Sequence, residues 1–452
     1  MDIFSGFKQT IQLVHNVRVL DNNIYITILR VVYLKKKVWL WNHYATEMYR
    51  NQGGRHYWFA QNLIENGFDS TIFCANTYHN KSEYIDTGNK KYSIDKLDNI
   101  PFVFVKTTTA LGNGLDRLKN MWLFYCNLFS VAKEYAKKNG KPDVIIASSV
   151  HPLTMVAGIK IAKRMNIPCI CEVRDLWPEA IFYFNKAKEN SLLGKILILG
   201  EHWIYRKANA LIFTKEGDSD YIKERKWDEG QGGDINLNKI HYINNGVDIE
   251  EFNKSIREKI IYDEDLESGK FNVVYVGAIR PVNNVGNILD VANLLRDEEN
   301  IQFLIYGDGN QKEILEKRVA DEGLTNVKIK GFVNKRFIPY ILSKSSVNIL
   351  NYSQSKYNWS RGNSSNKLFE YMASGKPIIS TVKMGYSIID KYRCGISLDK
   401  DTPNDLANAI LKIYNMPDDK YNEISEHAKN GAKDFDFKVL TKKLIIVMEN
   451  VI

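Results

Sequence analysis

The stretch KVWLWNHYATEMYRNQGGRHYWFAQNLIENGFDSTIFCAN, residues 37–76, decides the architecture. KVWLWNH is a short apolar run of strand length, and ATEMYRNQGGR is a loop carrying the pair Gly53-Gly54. HYWFAQNLIENG has the apolar spacing of a helix, with Trp58 and Leu63 on its inner face and Gly67 placed to end it. DSTIFCAN is again a strand. Strand, glycine loop, helix and strand form a βαβ unit, which requires a parallel sheet.

Outward from that unit the alternation continues. FVFV at 102–105, DVIIASS, PCICEVRD, ALIFTKE and KIHYINNG read as strands, with helices over 117–139 and 152–165. The charged stretch IEEFNKSIREKIIYDEDLESGK, 249–270, shows no apolar period and reads as a linker. A second series then begins with FNVVYVGAIR, IQFLIYGDG, VKIKGFV, VNILNY and PIIST as strands. Helices are predicted over 285–297, 310–322, 365–374 and 403–415, and a last one in FKVLTKKLIIVMENVI. The organisation expected is an extension over 1–36, a Rossmann-like domain over 37–248, a second over 249–436, and a helix over 437–452 returning to the first. Ligands of such sheets bind beyond the carboxyl ends of the strands, here in the cleft between two sheets.

Composition agrees. The chain has 452 residues, 44% apolar and 25% charged, with a formal charge of 62 − 53 = +9, a soluble globular make-up rather than disorder or coiled coil. The modest positive excess suits an anionic ligand or membrane surface and does not call for nucleic acid. Five scattered cysteines without a CxxC pair read as reduced thiols of a cytoplasmic protein. No apolar run reaches the roughly 20 residues of a membrane span, and Met1-Asp2 opens no signal peptide. Residues 1–36 place Ile3, Phe7, Ile11 and Val14 at helical spacing, as in an interfacial helix or an appended extension.

The chemistry concentrates in SSNKLFEYMASGKPIIS, 364–380. Lys367 and Glu370 share the face of a short helix that Gly375 and Pro377 terminate, while Leu368 and Met372 point to the core. Such a carboxylate can accept two hydrogen bonds from a cis-diol and such an ammonium can meet a phosphate; the plainer alternative is an exposed Lys–Glu pair. Arg280 is the only guanidinium in its loop and can hold phosphate oxygens bidentately. Gly307 and Gly309 suit an anion or a close approach of backbones. His151 follows a strand end, as a functional or a packing imidazole, and Glu172, Arg174, Asp175 and Glu179 follow the next strand. The DxD-like 263–265 and 434–436 read as surface charge. The stretch 182–207 mixes Phe182, Tyr183, Phe184, Leu192, Leu193 and Trp203 with Lys186, Lys188, Lys195, Arg206 and Lys207, either a membrane-facing element or a core helix with a basic side.

From about Lys37 to its end, the chain resembles the retaining glycosyltransferases of family 4, with the GT-B fold. The closest pattern is the SKLFEYMA version found in polysaccharide, O-antigen and capsule synthesis. The resemblance implies a nucleoside-diphosphate-sugar donor, a glycan acceptor such as one on a polyprenyl diphosphate, no metal and no further cofactor. It makes Glu370 the ribose-binding glutamate, with Leu368 in the same donor-binding stretch. The family's other glutamate, which faces the donor sugar, falls on Gly362, and Lys367 takes over part of that contact. Gly277 and Arg280 match the diphosphate cradle, with Asn283 standing at the family's lysine. Gly331, Phe332 and Val333 match the segment at the base, and Gly307 and Gly309 its GDG turn. Gly53 and Gly54 match the loop approaching phosphate and acceptor. His151 matches a histidine that meets the donor sugar from across the cleft. Arg174, Asp175 and Glu179 fall in RDLWPE, on the acceptor side, with Asp175 and Glu179 both open as the residue that orients the hydroxyl. Asn244 to Asp248 match a structural junction. The implied place of action is the cytoplasm, at the inner face of the cell membrane. Two alternatives stay open: a sugar-nucleotide epimerase of the same fold, and a non-catalytic nucleotide-sugar-binding subunit, which Gly362 and Asn283 favour.

Overall fold

Among the described residues all but one of the strand pairings are parallel, so the sheets are built from crossovers. The computed structural model describes residues 35–112, 114–183 and 188–452. The extension over 1–36 and its amphipathic pattern lie outside the described residues but for the last two.

The first sheet holds β1 (Lys37–Trp41), β2 (Asp69–Ala75), β3 (Tyr92–Leu97), β4 (Ile100–Val105), β5 (Val144–Ser148), β6 (Cys169–Val173), β7 (Ala210–Phe213) and β8 (Ile240–Tyr242), in the order β3-β4-β2-β1-β5-β6-β7-β8. Only β3 pairs antiparallel. Its polar sequence YSIDKL sits on the sheet edge, where apolar alternation is not required, and the sequence reading passed over it. β1 lies in the middle with both faces covered. Trp39 and Trp41 pack with Phe73 and the Leu115–Asn139, Pro152–Met165 and Leu192–Lys207 helices. Val38 and Leu40 pack the other way, against the Arg55–Glu65 helix and the last helix, Phe437–Glu449. Phe437 meets Phe59 with ring centroids 5.5 Å apart, so the final helix docks on the first lobe.

The second sheet holds β9 (Phe271–Val276), β10 (Ile301–Tyr306), β11 (Val327–Gly331), β12 (Val347–Leu350), β13 (Ile378–Ser380) and β14 (Gly395–Ser397), in the order β11-β10-β9-β12-β13-β14. It too is covered on both faces. Strand order reverses between β1 and β5 in one sheet and between β9 and β12 in the other. Those two switch points open the crevices where doubly wound sheets take ligands.

Two readings are corrected. Residues read as linker form a helix, Ile249–Glu258, whose Phe252 and Ser255 are buried and whose Ile249 and Ile256 pack on the second core. The spacing 249, 252, 256 is helical after all, hidden by the charges between. The 263–265 acids are not simple surface charge. Lys330 reaches Asp263 at 2.7 Å and Asp265 at 2.5 Å, and Tyr306 donates to Asp263 at 2.8 Å, pinning this loop to β10 and β11. Asp436 caps the last helix through the Lys438 N–H.

Candidate active site

The cradle is built by glycines. Gly277 leaves β9 with φ +155°, and a Cβ there would stand 3.1 Å from the Tyr275 hydroxyl and 3.5 Å from Lys367 Nζ. Gly307 leaves β10 so close that a Cβ would overlap the Gly277 carbonyl, at 1.8 Å. The GDG turn therefore supports the 277–280 loop: the Ile279 N–H donates to the Asp308 carbonyl at 2.9 Å, and Gly309 lies on Ile279. The turn thereby orders that loop.

Lys367 enters this cradle from the Asn366–Ser374 helix. The residue as a whole is half-buried, but its ammonium is sealed from solvent and has no hydrogen-bond partner among the described residues. Burial pushes it down to about 7. The rings of Tyr352 and Tyr275, 4.3 and 4.8 Å from Nζ, favour the charge in the opposite sense. A buried donor with no acceptor is costly in a native protein, so this one calls for a partner. Glu370, one turn on, diverges from Lys367. It faces a cleft of about 410 Å³ shared with Gly53, Gly54, Asn334 and Asn366, where Lys335 approaches it at 3.5 Å. Leu368 is buried in the second core, so its side chain does not line the cleft as a donor-binding residue.

A second cavity, about 340 Å³, opens on the other side of the helix start. Arg174 and Asp175 line it from the first lobe, and Val282, Tyr357, Trp359 and Gly362 from the second. Asn244 and Asn245 tie the lobes here, donating to the carbonyls of Asn363 at 3.0 Å and Ser364 at 2.5 Å. Glu179 is already engaged: Arg361 reaches it at 3.3 Å and Glu224 at 2.7 Å, across the lobes. Of the two carboxylates left open by sequence, Asp175 is the one lining the cavity. Lys215 beside it donates to the Tyr357 hydroxyl at 2.9 Å.

His151 caps the start of the Pro152–Met165 helix and is buried, with 0% exposure. It faces His43 rather than the open cleft, with His43 Nδ1 and His151 Nε2 2.7 Å apart. Burial, then Arg117, pushes His151 down to about 3, and burial and His151 push His43 well down. Both imidazoles are neutral near pH 7. Burial, Arg117 and Arg280 bring His79 down to about 4, and the Arg280 residue itself is exposed. Asn283 is buried, its carbonyl taking 2.7 Å from Asn351 Nδ2. Phe332 is 75% exposed, Val333 half-buried, and Gly331 holds φ +73° at the end of β11.

Glu370, Gly53 and Gly54 thus line one cleft, and Arg174, Asp175 and Gly362 line a second cavity, while Lys367 is enclosed beside Gly277 and His151 lies behind His43. Sequence reading missed the bridging Arg361 and the Arg117–His79 pair. Nothing in the spacing marks either, because their partners lie far off in the chain. Asn244 and Asn245 were visible, but only as a junction.

Comparisons with known proteins agree with this geometry. Residues 57–251 match the family model Glycosyltransferase Family 4, and residues 270–416 match Glycosyl transferases group 1. The chain is 24% identical over 289 residues to TuaH of Bacillus subtilis (strain 168), named as a teichuronic acid biosynthesis glycosyltransferase, covering 61% of this chain and 65% of that one. The chain spans between 28% and 65% of the length of the curated relatives it matches. Sucrose-phosphate synthase from Thermosynechococcus elongatus superposes with TM-score 0.66 at 16% identity, over 92% of this chain and 99% of that one. HepE of Anabaena, in complex with UDP-glucose, superposes with TM-score 0.60 at 14% identity, again over 92% and 99%. The fold is GT-B, and the matches to each lobe support a glycosyltransferase.

Proposed function

We propose that the chain transfers a glycosyl group from a nucleoside-diphosphate sugar to a hydroxyl of a glycan acceptor in surface polysaccharide synthesis. The observation that carries this is Lys367: a buried ammonium, without a hydrogen-bond partner among the described residues, set against the Gly277 loop. An anion at that position removes the deficit. Diphosphate is the anion that also lets Glu370, on the next turn, reach a ribose, and Arg280 close from the loop. The sugar then extends toward Arg174, Asp175 and Gly362, where the acceptor hydroxyl enters.

Cleaving the anomeric bond leaves positive charge on the sugar ring and added negative charge on the leaving diphosphate. Lys367 and Arg280 stand where that negative charge grows, and such preorganised groups each lower a barrier by about 2–4 kcal/mol. No metal is assigned to this step. Retention, with a leaving-phosphate oxygen taking the acceptor proton, follows the family resemblance. Support for a polysaccharide product comes from the same resemblance and the name of the B. subtilis relative; a polyprenyl-linked acceptor at the inner face of the membrane rests on the resemblance alone.

The test is a thermal-shift screen across UDP-, GDP-, dTDP- and CMP-sugars, followed by product analysis with and without acceptor. A ligand at 100 times its dissociation constant adds about 2.7 kcal/mol of stability. Glu370→Ala should abolish donor use while the unliganded melting temperature stays within a few degrees. Undiminished donor turnover in that variant would defeat the assignment. Isomerised donor without acceptor would identify an epimerase, and binding without turnover a non-catalytic subunit.

A further inference from the structure

The apolar surface is unevenly placed. Of the nineteen large hydrophobic side chains exposed among the described residues, eight fall in two short segments: Leu111, Leu115, Leu118 and Trp122, and Leu192, Leu193, Ile196 and Leu199. Each is between 55% and 82% exposed. Within the helices, the spacings 115, 118, 122 and 192, 193, 196, 199 keep each set on one face.

Topology puts both segments on one rim. The Leu115–Asn139 helix follows β4 and the Leu192–Lys207 helix precedes β7, both in a sheet whose strands are parallel there. Both helices therefore begin at the carboxyl edge of the sheet, the edge that lines the cleft. They sit in one layer with the Pro152–Met165 helix between them, so the two stripes are roughly 20 Å apart at ordinary helix spacing. The 115–139 helix is 25 residues, about 37 Å at 1.5 Å per residue, far longer than six-residue β4. Its first turns hold the lobe through Arg117 and buried Asn120, which bond His79 and Thr77, and their leucines lie on the opposite, bare face. Farther along the same face, the rings of Trp122 and half-buried Tyr125 and Phe129 meet in sequence with centroids 5.3 and 5.2 Å apart, the second pair edge to face. Lys160 lies over Tyr125 and Arg164 over Phe129. Exposed Lys119, Lys188 and Lys195 lie beside the stripes in the chain. The carboxylates here are Asp116 and Glu189, the latter paired with Arg225.

We propose that this rim is a docking surface for an anionic lipid bilayer, with the leucine stripes entering the acyl boundary and the lysines meeting the headgroups. Apolar stripes, an aromatic belt and flanking cations are what an interfacial site requires. No helix among the described residues is long and apolar enough to cross a membrane, so the contact is peripheral. The sequence left the 192–207 helix open as either a membrane-facing element or a core helix with a basic side, and did not mark the exposed stripe of the 115–139 helix. Phe184 and Lys186 of that earlier reading lie outside the described residues. Docking would hold the acceptor lobe's open edge toward the bilayer, and that orientation, though not the binding itself, rests on the transfer reading.

The test is cosedimentation of the full chain with vesicles of phosphatidylcholine, alone or with equal phosphatidylglycerol. The wild type should bind the mixed vesicles at least tenfold better than the neutral ones and release as salt is raised. Leu118→Ser/Trp122→Ser/Ile196→Ser/Leu199→Ser should lose at least tenfold in that binding, while its donor-induced thermal shift matches the wild type. A wild type that does not sediment with either vesicle overturns the proposal. So does a dimer in solution that the same four changes dissociate, which would make a second copy the occupant. Vesicle binding without any nucleotide-sugar shift would instead keep the dock and defeat the transfer reading.

Discussion

Two buried cations in this molecule have opposite surroundings. Arg55, on the first lobe, is 3% exposed and fully engaged. It donates to Glu172 at 2.8 Å and to the carbonyls of Ile243 at 2.9 Å and Asn244 at 2.5 Å. Glu172 in turn takes the Ser148 hydroxyl at 2.8 Å and lies 3.1 Å from His56 Nε2. Lys367, on the second lobe, has two aromatic rings and no acceptor among the described residues. The first arrangement is complete within the chain and holds it together. The second is incomplete among the described residues, and in the proposed function a ligand completes it. A saturated charge marks architecture, and an orphaned one marks a site.

That contrast can be broken by substitution. The largest effect should come from Arg55→Met, which strands the Glu172 carboxylate in the core. Losing one partner of a buried pair costs about 3–5 kcal/mol, and denaturant unfolding should show it. Lys367→Met should do the reverse. It removes an unpaired buried charge, so the melting temperature should hold or rise, while the barrier rises by about 2.7–4 kcal/mol and turnover falls 10²- to 10³-fold. If Lys367→Met unfolds the protein as Arg55→Met does, the distinction fails. The smallest effect belongs to Lys335→Ala. Its side chain is 50% exposed, and its approach to Glu370 at 3.5 Å is a solvent-screened pair. Its loss should alter stability by less than about 1 kcal/mol.

The same contrast explains what could be read beforehand. The two-sheet architecture was legible because β1, β5 and β9 are largely apolar runs, the mark of strands buried on both faces, and Gly277 follows β9 directly. Edge strand β3 and the Ile249–Glu258 helix were not, since both carry charges that conceal a partial apolar face. In the site, Lys367 and Glu370 were legible from three-residue spacing at a helix start, but their divergence was not. It depends on Tyr275 and Tyr352, about 90 and 15 residues away in sequence. The burial of His151 against His43 depends on the β1–β5 switch point, which joins residues more than a hundred positions apart. The Arg361 ion pairs need both lobes in place before they exist.

Proton linkage makes Lys367 directly measurable. Its folded value, pushed to about 7 from an ordinary 10.5, means the unfolded chain holds more protons between those values, so unliganded stability gains with rising pH over that window. A bound diphosphate reverses the trend by restoring the charged form. Affinity should then fall up to tenfold per unit as pH rises above about 7, beyond the nucleotide's own titration. Calorimetric titration of the tightest nucleoside diphosphate at pH 8, in two buffers of different ionisation heat, counts the protons taken up. The expected result is an uptake approaching one proton in the wild type, and none in Lys367→Met. Tight binding with no proton uptake in the wild type, or the same uptake in both proteins, would contradict a diphosphate seated on Lys367.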